Sequence, residues 1–395
     1  VINAELAATD TSEAEASPAP AAGEDAAHAA RSGALQILAV LSQSLMVVTH
    51  VVMARLFGPL VFGTYQTATA IVDMLTRGGT GGADKGMLRY VAAYRAAGQV
   101  QEAERAVGTG LRLAWLIAGL LALGTVAAAL FGGPALVGPG LAAALPIMAP
   151  AAMFSATTLV LVQASLAARA TRANLIVRGL GEPTLVLLAA IVAWSVGGGL
   201  RGVAAAHLTA SILTATLAFT IVGALLGARR LVHAVRAPRL RGFAPFTLPL
   251  GAADMLNAVL QRADVVILTR FVGAEAAAFY AAGEFITRAI ANVRYAFDSI
   301  AAGVLSEALH LGDKARLRYN LRLMTRWVIT ATLPIAGTVI ALRSDLLALY
   351  GPSFQRAGAA LVVLALAQVV SGCFGLTGWV LTVSGRSRVL LWINL

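Results

Sequence analysis

Only 12% of the 395 residues are charged, so ionisable side chains inside apolar runs stand out, and their spacing sorts them into stripes. Between 246 and 271, Asp254, Asn257, Gln261 and Asp264 follow intervals of 3, 4 and 3, which places all four on one helical face. Between 275 and 305, Tyr280, Glu284, Arg288 and Asn292 recur every four residues, and Arg294 with Asp298 repeats that interval. Between 61 and 78, Thr69, Asp73 and Arg77 share it. An arginine fork grips anionic oxygens in pairs, whereas Asp, Asn and Gln suit hydroxyls, protons or small cations. An ionisable group at the centre of a bilayer costs about 2.5–3.5 kcal/mol on insertion scales. These stripes therefore read as the lining of a wet pathway. Asp264 and Arg262 lie two apart and do not face each other, so each is also suited to pair with another span.

The elements that must carry these stripes are membrane helices. Hydrophobic residues make up 58% of the chain and mean hydropathy is +0.79, where a soluble domain carries about 25% charge. Apolar runs of spanning length fall near 34–56, 61–78, 108–131, 140–166, 175–196, 202–226, 246–271, 275–305, 323–348 and 357–382, and an eleventh starts near 388. The chain thus reads as an all-α polytopic membrane protein whose C-terminus stops inside its eleventh span. Lys85, Arg89, Arg95 and Arg105, then Arg169, Arg172 and Arg178, then Arg229, Arg230, Arg236, Arg239 and Arg241, then Lys314, Arg316, Arg318 and Arg322, and finally Arg386 and Arg388 lie on one side. The other side has Arg201, Arg343 and Arg356, with Arg55 and Arg270 at helix ends. This bias puts the first set, and the acidic N-terminus, in the cytoplasm. Residues 1–33 read as a disordered acidic tail, 34–227 as an N-lobe of six spans, 228–243 as a basic cytoplasmic linker and 244–395 as a C-lobe. Tyr90–Ala106 and Leu311–Tyr319 are expected as short cytoplasmic helices between spans. Arginine accounts for nearly all of the net charge of +11, and topology explains it without nucleic acid. Cys373 is the single cysteine, which excludes an internal disulfide and a Cys-based metal site.

A shift of 215 lays Arg55-Leu56-Phe57-Gly58 on Arg270-Phe271-Val272-Gly273 and Tyr65 on Tyr280. With small gaps, Gly86-Met87-Leu88 meets Gly303-Val304-Leu305, and Leu130-Phe131-Gly132 meets Leu349-Tyr350-Gly351. Six spans separate the copies, so the chain is read as two parallel six-helix repeats with a substrate path between them.

Three segments carry a family resemblance: Ala54-Arg55-Leu56-Phe57-Gly58-Pro59 with Phe62-Gly63-Thr64-Tyr65; Leu88-Arg89-Tyr90-Val91-Ala92-Ala93-Tyr94-Arg95; and Gln261-Arg262-Ala263-Asp264 with Gly273 and Phe279-Tyr280. Over residues 34–395 the chain resembles the Wzx-type polysaccharide and oligosaccharide-lipid flippases of the MOP superfamily. Phe279 departs from that pattern, which usually has Gly before the Tyr. The resemblance implies a V-shaped two-lobe bundle in the bacterial plasma membrane. It also implies alternating-access movement of a polyprenyl-pyrophosphate-linked oligosaccharide, with membrane lipids and other polysaccharide assembly proteins as partners. In that setting Arg77, Arg288 and Arg294 become the candidates for the pyrophosphate, and the Asp and Asn side chains of the seventh span for sugar hydroxyls.

Other readings compete with it. A MATE-type cation-coupled drug antiporter shares the architecture, but Ala34–Leu56 has no acidic residue and only Asp73 on the next span speaks for it. A lipid II flippase would carry charged residues on its first span, and a polysaccharide-assembly scaffold would transport nothing. Asp73, Asp254 and Asp264 are the groups able to carry a coupling H⁺ or Na⁺. Gln36, Gln43 and His50 on the first span and His207 on the sixth read as interhelical packing groups, and Arg178 with Glu182 as a structural pair. The chain has no Gly-x-x-x-x-Gly-Lys-Ser/Thr loop, no catalytic motif and no soluble block large enough for a catalytic domain, so neither an enzyme nor a resident cofactor is expected.

Overall fold

The structure, a computed structural model, describes residues 22–133, 137–170, 172–310 and 313–383. Side chains are described from Leu45 to Gly375, apart from positions 226, 228, 296, 298–310 and 314 in the helices. Most of the tail and the Arg386–Arg388 loop lie outside these residues, as do the side chains of Gln36, Gln43 and Asp298.

The described residues form helices throughout. Helix α1 runs Ala22–Gly79 and is broken at Gly58 (φ 76°, ψ 171°), followed by Pro59, so it supplies both of the first two expected spans. It begins within the expected tail, where alanine-rich sequence favours helix. Then follow α2 (Val100–Phe131), α3 (Pro139–Met148), α4 (Ala151–Ala167), α5 (Glu182–Ser195), α6 (Gly199–Leu226), α7 (Ala228–Arg236), α8 (Phe243–Phe271), α9 (Ala274–His310), α10 (Lys314–Ala341) and α11 (Gly358–Val383). Among the described residues seven helices are long and apolar enough to cross a membrane, and the α3–α4 pair, bent by 49° at Ala149-Pro150, makes an eighth. Helix α9 adds a further 37-residue element bearing Glu284, Arg288 and Arg294. The protein is thus an all-helical, multi-pass membrane protein.

Three connections differ from expectation. The segment 90–106 is not one short helix: a π-helical turn, Met87–Val91, and a helical turn, Ala92–Ala96, end at Gly98 (φ 72°), and the rest opens α2. Residues 314–319 form the first turns of α10, capped by Asp313, whose carboxylate accepts the backbone N–H of Arg316 at 2.9 Å. The basic linker contains α7, whose Leu231 and Ala234 are buried against the start of α2 while Arg229, Arg230 and Arg236 stay exposed.

Two apolar clusters hold the bundle. One lies within the first six spans, α7 and the start of α8, around Met87, Leu111, Leu161, Leu231 and Phe243. The other joins Met53, Phe62 and Tyr65 of α1 to Ala278, Ala281 and Phe285 of α9 and to Tyr350, Phe354 and Leu361 near the start of α11, so it stitches the two lobes together. There α1 and α9 approach so closely that a Cβ at Gly63 would collide with the Ala274 carbonyl.

Candidate functional site

Beside that seam, the second half of α1 faces α4, α5 and α6 of its own lobe and α8 and α9 of the other. These helices enclose a cavity of about 170 Å³. Its charged lining is Asp73 and Arg77 from α1, Arg178 from the π-helical turn Leu175–Gly181, Glu182 from the start of α5, Arg262 from α8 and Arg288 from α9. Four guanidinium groups face Asp73 and Glu182 in the lining and Glu284, which pairs with Arg262 and Arg288 from just behind it, a local excess of one positive charge. Tyr65, Gln66, Thr69, Ser155, Thr158, His207, Ser211 and Thr214 add hydroxyls, an amide and an imidazole.

The acidic and basic groups form a chain across the lobes. Arg262 Nη2 reaches Asp73 Oδ2 at 3.3 Å and its Nη1 reaches Glu284 Oε1 at 3.5 Å. Arg288 Nη2 donates to the same Glu284 oxygen at 3.1 Å. The Arg288 guanidinium carbon also sits 4.7 Å from the centre of the Phe285 ring, which stacks on His50 at 3.8 Å. Arg178 pairs with Glu182 at 3.8 Å. Arg77 makes no ion pair within 4 Å among the described residues. Three buried groups on lining residues, Gln66 Nε2, Thr69 Oγ1 and Thr214 Oγ1, have no hydrogen-bond partner among the described residues, which fits a site that fills with water or ligand.

Of the sequence-selected residues, Asp73, Arg77 and Arg288 line the cavity and Glu284 braces it. The α8 stripe does not line it. Asp254 pairs with Lys85 Nζ at 3.3 Å, Gln261 donates to Asn257 Oδ1 at 3.1 Å, and Asp264 accepts from the Tyr280 hydroxyl. The residue of α8 that enters the cavity is Arg262, one position beyond Gln261 and on a different face. Arg294 lies over Tyr295 at 4.7 Å and against Gly375 of α11, away from the cavity. His50, buried, and His207, half-buried, both lie at the cavity wall. His50 Nδ1 lies 2.6 Å from the Met46 carbonyl and His207 Nδ1 lies 3.0 Å from the Tyr65 hydroxyl. Sequence patterning ranked the helices whose polar residues repeat. It reads Arg178 with Glu182 as a structural pair and Arg262 as a partner for another span, and places none of the three in the pathway.

At the other end of the lobe contact the chemistry is dry. Phe62, Tyr350 and Phe354 pack with ring centres 5.7–6.5 Å apart. Arg55 donates from Nε to the Leu349 carbonyl at 2.6 Å and from Nη2 to the Ala348 carbonyl at 3.0 Å, at the C-terminal end of the short helix Arg343–Ala348. Burial pushes the Tyr350 phenol well above its ordinary range, so it stays neutral. Among the described residues no group of three or more His, Cys, Asp or Glu could hold a metal ion.

In the arrangement of its helices the chain is similar to solved transporters of the MOP superfamily. An inward-facing multidrug-resistance MATE transporter of that superfamily matches with a TM-score of 0.65 at 14% identity, over 88% of this chain and 84% of the other. A MOP-superfamily transporter from Pyrococcus furiosus, described as having a binding pocket of reversed polarity, matches with 0.61 at 14% identity over 91% and 83%. A mutant of a Vibrio cholerae MATE transporter matches with 0.60 at 17% identity over 91% and 84%. The sequence itself is more specific: residues 30–301 match the polysaccharide biosynthesis protein family, and the chain belongs to it. No curated protein matches it in sequence.

Proposed function

We propose that the protein is a flippase that carries a polyprenyl-pyrophosphate-linked oligosaccharide across the bacterial plasma membrane for surface polysaccharide synthesis. The observation that carries this reading is the cavity lining, in which Arg77, Arg178, Arg262 and Arg288 outnumber Asp73 and Glu182 beside a group of hydroxyl and amide side chains. Guanidinium forks match the paired oxygens of a pyrophosphate. Hydroxyls and amides suit a sugar, while the lipid tail stays in the bilayer at the edge of the lobes. Membership of the polysaccharide biosynthesis family supports the substrate class, and the fold supports alternating access. The charge bias of the loops supports a cytoplasmic N-terminus.

The test is to delete the gene in its host and resolve lipid-linked glycans by mass spectrometry, with an impermeant oxidant to separate the leaflets. Build-up of one protected, inner-leaflet polyprenyl glycan is expected. The fold and the carboxylates Asp73 and Glu182 favour a second reading, a cation-coupled antiporter. Unchanged glycolipids with new sensitivity to cationic drugs would establish that one instead.

A further inference from the structure

Arg262 has two carboxylate partners, one from each lobe. Glu284 belongs to α9 of its own lobe and also holds Arg288, whereas Asp73 comes from α1 and is the only N-lobe ion-pair partner of Arg262 among the described residues. The Asp73–Arg262 pair is thus an ionic tie between lobes in the wall of the cavity itself. It forms even though Arg77, four residues further along α1 and well placed for a helical pair, is within the same cavity and makes no ion pair among the described residues.

We propose that Asp73 acts as an internal stand-in for the ligand: its carboxylate occupies the anion site of Arg262 while the cavity is empty, and an arriving phosphoryl group displaces it. This rests on the reading of the cavity as an anionic-ligand site. A phosphoryl group carries more charge and more acceptor oxygens than a carboxylate held through one 3.3 Å contact, so the exchange runs toward the ligand. The released Asp73 carboxylate then has Arg77 one helical turn away as its new partner. No charge is left unpaired, and the tie between the lobes is gone. Binding is thereby linked to lobe separation, because only the anion-bound state lacks the Asp73–Arg262 pair.

The test uses the full chain in lipid nanodiscs with inorganic pyrophosphate as the probe. Binding is measured by calorimetry. Lobe separation is read by electron–electron distance measurement between spin labels at Thr216→Cys and Thr330→Cys, with Cys373→Ser. Removing the competitor by Asp73→Asn, a nearly isosteric change, is expected to tighten pyrophosphate binding by roughly tenfold. The empty variant should also show the wider lobe distance that the wild type reaches only with pyrophosphate. Asp73→Glu, which keeps the charge, should bind as the wild type does, and Arg262→Gln should lose binding. If Asp73→Asn leaves affinity and lobe distance unchanged while Arg262→Gln abolishes binding, the displacement idea falls and the anion site stands. Equal tightening by Asp73→Glu would assign the gain to packing and also overturn the idea. If pyrophosphate neither binds the wild type nor moves its lobes, the anionic-ligand reading fails first and this proposal with it.

Discussion

At the seam near Arg55, Phe62, Tyr350 and Phe354 are each 1% exposed. About three turns further along the same helix, the side chains of Asp73, Arg262, Glu284 and Arg288 keep 28–48% of their surface. Both regions join α1 to the second lobe, yet one is built from rings, small residues and a guanidinium on helix-end carbonyls, and the other from alternating charges around a cavity. Apolar contacts that exclude water resist separation wherever they form. Partly wetted ion pairs contribute little net stability and exchange partners readily. The dry seam therefore acts as the fixed joint of the described state, and the charged wall as the part that responds to a ligand.

The sharpest way to break this comparison is to exchange the roles. Arg288→Ala and Arg262→Gln should each abolish surface polymer in a complemented deletion strain while the protein stays at normal level in the membrane. Normal polymer at normal expression would remove that arginine from the pathway. At the seam the effect should fall on stability instead. Gly63→Leu forces a side chain into the Ala274 backbone and should lower stability by about 2–3 kcal/mol, measured as a drop in the detergent melting temperature. Arg55→Ala removes two hydrogen bonds to the Ala348 and Leu349 carbonyls and should cost about 1 kcal/mol, read by the same assay, with easier labelling of Tyr350→Cys (in a Cys373→Ser background) by an impermeant thiol reagent. Smallest is Asp254→Asn, which breaks the part-exposed Lys85–Asp254 pair while Lys85 keeps Asp84 and should change stability by less than about 1 kcal/mol, an effect that added salt erases.

The helices were legible in the sequence because spanning segments need long apolar runs, and the break at Gly58-Pro59 is written in two residues that cannot continue a helix. Gly58 and Gly273, paired by the 215-residue shift, both take positive φ at a helix boundary. The site was legible in part. Spacing placed Asp73 and Arg77 on one face of α1 and Glu284 and Arg288 on one face of α9, and those faces meet the cavity. The same reasoning misdirected attention on α8, because periodicity identifies residues that share a face without saying which neighbour that face meets. Asp254 finds Lys85, and Asp264 finds the Tyr280 hydroxyl. Arg262 belongs to no stripe, and its partners come from residues 73 and 284. Such a pairing depends on how the lobes are docked, and no local pattern encodes that.

The central claim is that the cavity between the lobes receives the head group. The most direct measurement is photo-crosslinking with a polyprenyl pyrophosphate bearing a diazirine beside the phosphates, followed by peptide mapping. Adducts on α1 between Thr69 and Arg77, on the start of α5 and around Arg262 and Arg288, lost on addition of unlabelled lipid pyrophosphate, are the predicted result. Adducts confined to the Asp254–Asp264 stripe or to lipid-facing positions, with the cavity helices unlabelled, would contradict the account.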